Sequence, residues 1–345
     1  MRFAFTEEQR MLKDSVRALL ARDCAPSAVR AAWSSPDGRV PGLWAKLAAL
    51  GAVGITAPEA YGGLAMGAIE LVAIAEEAGR AALPEPFIET TAVALPLLAE
   101  IADHETNARW LAALAAGTAN VSVRLGGAPH AAYAHVADLL LLQRDDELHA
   151  VARDDVTLEA QRSVDGARRL SRVAWTPEKA TCIARGPAAR LAVAEAIDRG
   201  SLAASAELLG LAQRMIDMTV EYTKVREQFG KPIGSFQAVK HHMADALGAL
   251  EMAKPVVYRA AWSVATSASE RATHVSMAKA FASDAALFVA KKALQCHGAI
   301  GYSFEHDLHL WMKRAWALAA AWGDAASHRA RVGAAIWAPR AAHDN

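Results

Sequence analysis

The sequence predicts a mainly α-helical chain with one small β segment. Three observations carry this. Apolar residues recur at helical spacing through roughly the first 115 residues. Between Gly117 and Trp175 the texture changes to short apolar stretches separated by polar turns. From about Pro187 to Ala335 the chain is Ala-rich and strongly helical. The divisions that follow are a helical unit over 1–116, a short β-domain over 117–186 and a helical bundle over 187–338.

Each element has a local reason. Residues 6–22 read as an amphipathic helix with Thr6 as N-cap, Glu7 and Glu8 in the first turn, and Met11, Leu12, Val16, Leu19 and Leu20 on one face. Residues 42–51 form a helix stopped by Gly51, followed by the Gly- and Pro-rich loop GITAPEAYGGLAMG. Residues 68–82 are a further helix, and 92–116 carry one or two more. ANVSVRL (119–125), DLLLLQ (138–143), LHAVA and VTLEA read as strands. Residues 188–225, 235–267, 270–297 and 307–336 read as four long helices, which suggests an antiparallel bundle.

Composition narrows the function classes. Across 345 residues, 37 Lys and Arg balance 37 Asp and Glu, so no global field favours nucleic acid or an anionic membrane. With 53% hydrophobic and 21% charged residues the chain is globular rather than disordered. No apolar run reaches the ~18–20 residues of a membrane span. The N-terminus MRFAFTEEQR lacks a secretory pattern. Cys24, Cys182 and Cys296 are odd in number and widely spaced, forming neither a disulfide framework nor a zinc spacing, which suits a reducing cytoplasm. The neighbours His241 and His242, and the pair His306 and His309, read as helix-face or interface histidines, so no metal is expected.

GxGxxG, P-loop and G-x-S-x-G signatures are absent. The most specific segment is VREQFGKPIGSFQAVKHHMADALGALE (225–251): a helix end, a Gly/Pro turn, and a new helix from Ser235. Arg226 and Gln228 offer hydrogen bonds to phosphate or carbonyl groups. Phe229 either stacks on a planar ligand or fills the bundle core.

RxQFGxPIGxFQ, APEAYGG (57–63) and QCHGAIGYSFEHDLHLWMKRA (295–315) resemble, in order and spacing, the signatures of the acyl-CoA dehydrogenase family. The resemblance covers essentially the whole chain apart from the β segment. It implies an N-terminal helical domain, a middle β-domain and a C-terminal four-helix bundle. It also implies FAD, an acyl-CoA substrate, a dimer or dimer of dimers, and an electron-transfer flavoprotein or similar acceptor. By the same resemblance, Arg226, Gln228 and Phe229 hold the pyrophosphate and adenosine end of FAD across a subunit boundary. Gln237 matches the glutamine of the next helix. Gln295 and Gly298 match a Q-x-x-G-G element, with Ala299 as its second glycine here.

Two departures stand out. The family's α proton is removed by a carboxylate. The position of the usual Glu, seventeen residues after Glu305, is Trp322, followed by Gly323. Indole has no basic site. A smaller group of members carries its Glu early in the first bundle helix, which points to Asp198 after a shift in register; Asp324 is a further nearby carboxylate, and Glu207 reads as either a hydrogen-bonding carboxylate of the bundle or a site residue. The β-domain is abbreviated and lacks the family's E-P-x-x-G-S-D and W-x-[ST] elements, with Trp175-Thr176 reading as a strand end. The chain also resembles short members of sterol side-chain breakdown, some built from two unlike subunits. Three readings stay open. One is an acyl-CoA dehydrogenase with an unusual base, for a bulky or steroid-derived acyl group. Another is a base-deficient subunit of a heterotetramer with a related chain. The last is a non-enzymatic flavin-binding scaffold.

Overall fold

The computed structural model describes residues 4–101 and 104–337. Its helical N-terminal part comprises α1 (Glu7–Asp23), α2 (Pro26–Ser34), α3 (Leu43–Ala49), α4 (Ala68–Arg80), α5 (Leu95–Ile101) and α6 (His104–Ala115). Thr6 caps α1 in a full capping box with Gln9. Val16 and Leu20 are buried, whereas Met11, expected on the same face, is exposed. The one or two helices expected over 92–116 are α5 and α6, and α5 is preceded by a wholly buried π-helical segment, Ile88–Ala94.

The β-domain holds β1 (Val121–Arg124), β2 (Ala131–Ala132), β3 (Leu139–Arg144), β4 (Glu147–Ala152), β5 (Val156–Gln161), β6 (Leu170–Trp175) and β7 (Cys182–Arg185). They form two sheets, ordered β1-β3-β4-β7 and β2-β6-β5. The run Leu139–Leu142 is unbroken in its apolarity because both of its faces are covered. Leu139 and Leu141 join the main core, while Leu140 and Leu142 join a smaller core with Val151, Val156 and Val173. Trp175 ends β6 and packs on that smaller core.

The bundle contains α7 (Gly186–Val225), α8 (Gln237–Ala265), α9 (Arg271–His297), α10 (Leu308–Ala320) and α11 (Ala325–Trp337). A hairpin of β8 (Glu227–Gln228) and β9 (Lys231–Pro232) joins α7 to α8. The fourth expected helix, 307–336, is broken into α10 and α11, because Trp322 and Gly323 both take positive φ, 58° and 90°. The helical unit and the bundle meet where α4 crosses α7 backbone to backbone. A Cβ on Gly79 would lie 2.0 Å from the Glu207 carbonyl oxygen, and one on Gly210 would lie 1.9 Å from that of Glu76.

Candidate active site

A cavity of about 830 Å³ lies between the loops of the β-domain and the bundle, bounded by α7, the end of α10 and the start of α11. Trp322 lines it from the α10–α11 turn. Its indole lies against Gly200 of α7, where a Cβ would come within 2.5 Å of the ring. Non-glycine residues hold such a left-handed conformation only when their surroundings over-determine it. Here they do. Ser201 Oγ and His328 Nε2 donate to the Trp322 carbonyl at 3.0 and 2.9 Å. Lys279 Nζ donates to the carbonyls of Ala319 and Gly323 at 3.0 and 2.9 Å. Lys279 is fully buried, and desolvation lowers its pKa to about 7, against a smaller opposing pull from Asp324. The turn that carries residue 322 is thus pinned from α7, α9 and α11 together.

The nearby carboxylates are engaged elsewhere. Asp198 is buried and accepts from Arg331 Nη2 at 2.7 Å. Asp324 starts α11, where the Ser327 amide donates to it at 2.8 Å and hydrogen bonds from Ser327 hold its carboxyl below the usual range. Neither carboxylate lines the cavity, although Arg331 does.

A charged layer that sequence reasoning missed lies at the cavity wall. Arg314 pairs with Asp165 and donates to the Leu83 carbonyl. Arg168 approaches Glu89 at 3.5 Å, and both line the cavity. Glu207 was expected to be hydrogen-bonded, but its carboxylate bonds no described residue. Burial pushes it up to about 8, opposed by Arg314 and reinforced by Glu89. Burial also raises Glu89. The available signal was an acidic residue inside the apolar run PFIETTAVALP, but charge at single positions does not reveal which residues meet.

The residues matched to the flavin form a second, separate region. Arg226, Gln228, Phe229, Gln237, Gln295 and Gly298 are all exposed in the single chain. The hairpin turns through Phe229 and Gly230, both at positive φ, as its two-residue tip demands. Phe229 is 92% exposed, so it does not fill the bundle core. Tyr222, four residues before Arg226, stacks on His297, next to Gly298. The hairpin and the Gln295–Gly298 turn therefore share one end of the bundle. On α9, Met277, Phe281 and Phe288 form an exposed apolar stripe at helical spacing. His309 is buried between Trp33 and Phe304, a packing role.

Residues 6–118 match the acyl-CoA dehydrogenase N-terminal domain, and residues 190–337 match its C-terminal domain. The chain is 33% identical to acyl-CoA dehydrogenase IpdE2 of Mycobacterium tuberculosis over 310 residues, covering 90% of this chain and 91% of that one. It is 35% identical to acyl-CoA dehydrogenase IpdE2 of Mycolicibacterium smegmatis, covering 90% and 93%. Among solved structures, a chain of the ChsE4-ChsE5 complex of Mycobacterium tuberculosis superposes with a TM-score of 0.90 at 25% identity, covering 99% of this chain and 100% of that one. Sequence motifs, fold and relatives agree: the chain belongs to the acyl-CoA dehydrogenase family.

Proposed function

We propose that this chain is the base-deficient subunit of a two-chain acyl-CoA dehydrogenase, and that it contributes half of an FAD site shared with a related, base-bearing chain. The observation that supports this reading is Trp322, which the count from Glu305 matches to the family's usual Glu and whose turn is held by Ser201 and His328, while Asp198 and Asp324 are held by Arg331 and by the start of α11. Abstraction of an α proton needs a carboxylate within hydrogen-bond reach. The ChsE4-ChsE5 neighbour, itself a complex of two chains, lends further support.

Family membership implies a flavin. The exposed end of the bundle fits its pyrophosphate and adenosine end by donor chemistry. Arg226 supplies a guanidinium for the pyrophosphate. Gln228, Gln237 and Gln295 supply amide groups. Phe229 supplies an unpacked ring for stacking, and Gly298 keeps the turn free of a side chain. FAD, when bound, supplies the acceptor for a hydride from Cβ of the acyl thioester. This chain's residues bind and orient it from across the boundary, and the partner chain supplies the base. The stripe of Met277, Phe281 and Phe288 is the surface that assembly would cover.

The acyl group is bulky and steroid-derived in the sense of the sterol-type resemblance, and the acceptor is an electron-transfer flavoprotein or similar protein. Among the described residues no helix is long and apolar enough to cross a membrane, and three free thiols suit the cytoplasm. The test is dye-coupled acyl-CoA dehydrogenation by the chain alone and with its partner, repeated with Asp198→Asn. Inert protein alone, with activity on pairing that survives Asp198→Asn, supports the reading. Fast turnover alone that Asp198→Asn abolishes makes Asp198 the base and overturns it.

A further inference from the structure

The β-domain carries a cluster unconnected to the cavity or the hairpin. β4 and β7 run antiparallel with His149 opposite Cys182, next to a register shift between Leu148 and His149. The ligating atoms of Glu147, His149 and Cys182 all lie within 4.8 Å of one another. No local spacing announces this set, because the pairing of two strands 33 positions apart creates it.

The imidazole is built in. His149 is 1% exposed and meets Trp175 edge to face at 4.9 Å. Thr181 Oγ1 donates to the Glu178 carbonyl at 3.0 Å and lies 3.0 Å from His149 Nδ1, which holds that side of the ring. The other ring nitrogen, Nε2, faces Glu147 Oε2 at 3.3 Å. A hydroxyl that fixes the far nitrogen is the outer support that metal-bound histidines use. On the open side, Arg185 Nε donates to Cys182 Sγ at 3.2 Å and lies 3.5 Å from Glu147. That guanidinium is half-exposed, and its positive charge already lies against two of the three ligands.

We propose that Glu147, His149 and Cys182 bind a divalent cation of the zinc class. One imidazole, one thiolate and one carboxylate make a three-ligand set, with water completing a tetrahedron. His149 is the fixed template, and the more exposed Glu147 and Cys182 draw in around it. Binding displaces Arg185 and releases the Cys182 thiol proton to solvent. The cation would staple β4 to β7, which runs directly into α7 at Gly186, and so stiffen the joint between β-domain and bundle.

The test uses the full chain, stripped with chelator and titrated with Co²⁺ alone, then with Zn²⁺ in competition. The expected result is one equivalent of Co²⁺ with a thiolate-to-cobalt charge-transfer band that Zn²⁺ abolishes. Cys182→Ser should remove the band. Glu147→Gln, at a half-exposed position that folding tolerates, should weaken Zn²⁺ binding about tenfold or more. Arg185→Ala should tighten it by removing the competing cation. Binding without the band, Zn²⁺ affinity unchanged in both Cys182→Ser and Glu147→Gln, or no binding at all would overturn the proposal.

Discussion

The α10–α11 turn and the β8–β9 hairpin sit in the same bundle and both turn through an aromatic and a glycine at positive φ, yet they contrast in burial and in what holds them. The turn is half-buried, and its strained residue Trp322 is held by Ser201, His328 and Lys279 from three helices. The hairpin is exposed, with Phe229 offering an aromatic ring to solvent at the tip. The turn has its backbone carbonyls bonded from within the chain. The hairpin leaves a guanidinium, an amide and most of an aromatic ring facing solvent, which suits completion by something else. The difference separates what this chain closes for itself from what it offers to a partner.

The sharpest break of that contrast is at the hairpin. Arg226→Ala should leave the isolated chain's stability within about 0.5 kcal/mol of wild type, as for other exposed positions. In the assembled enzyme it should weaken flavin binding by roughly 10–100-fold, the worth of a charge-assisted hydrogen bond. Flavin titration and thermal melts of the same variant read the two effects.

The next effect lies under the turn, in pH dependence. Burial raises Glu207 from 4.5 to about 8, so between those values the folded state holds more protons than the unfolded state, and stability falls as pH rises. Lys279 is lowered from 10.5 to about 7, so between those values the unfolded state holds more protons, and stability rises with pH. Together they predict a stability minimum near pH 7–8, of order 2 kcal/mol deep. Denaturant melts across pH should show Glu207→Gln flattening the acid limb and Lys279→Met the alkaline limb.

A smaller effect tests how tightly Trp322 is held. Gly200→Ala pushes a methyl into the indole and should cost about 1 kcal/mol. Adding Trp322→Ala should recover most of that cost, a coupling that a double-mutant cycle measures.

Much of this was legible in the sequence. Helical spacing and capping residues located most of the helices, and the count from Glu305 singled out Trp322, which the structure places at the α10–α11 turn against the cavity. The break after Ala320 was not legible, because AWALAAAW reads as continuous helix. The contacts that hold Trp322 at positive φ come from residues as distant as Ser201 and Lys279. α2 was missed although Pro26 stands at its first turn, a start signal in its own right. The layer of Glu89, Asp165, Arg168, Glu207 and Arg314 could not be read because only tertiary packing assembles it. Phe229 shows the limit of hydrophobicity as a guide: its backbone conformation suits a hairpin tip, where the ring has no core to enter.

The most direct measurement is FAD content per chain, for this chain alone and for the assembly with its partner, each with and without Arg226→Ala in this chain. The account predicts little FAD on the chain alone. It predicts one FAD per pair of unlike chains in the assembly, lost when Arg226 of this chain is replaced. One FAD on every copy of the isolated chain, with acyl-CoA turnover to match, would contradict it.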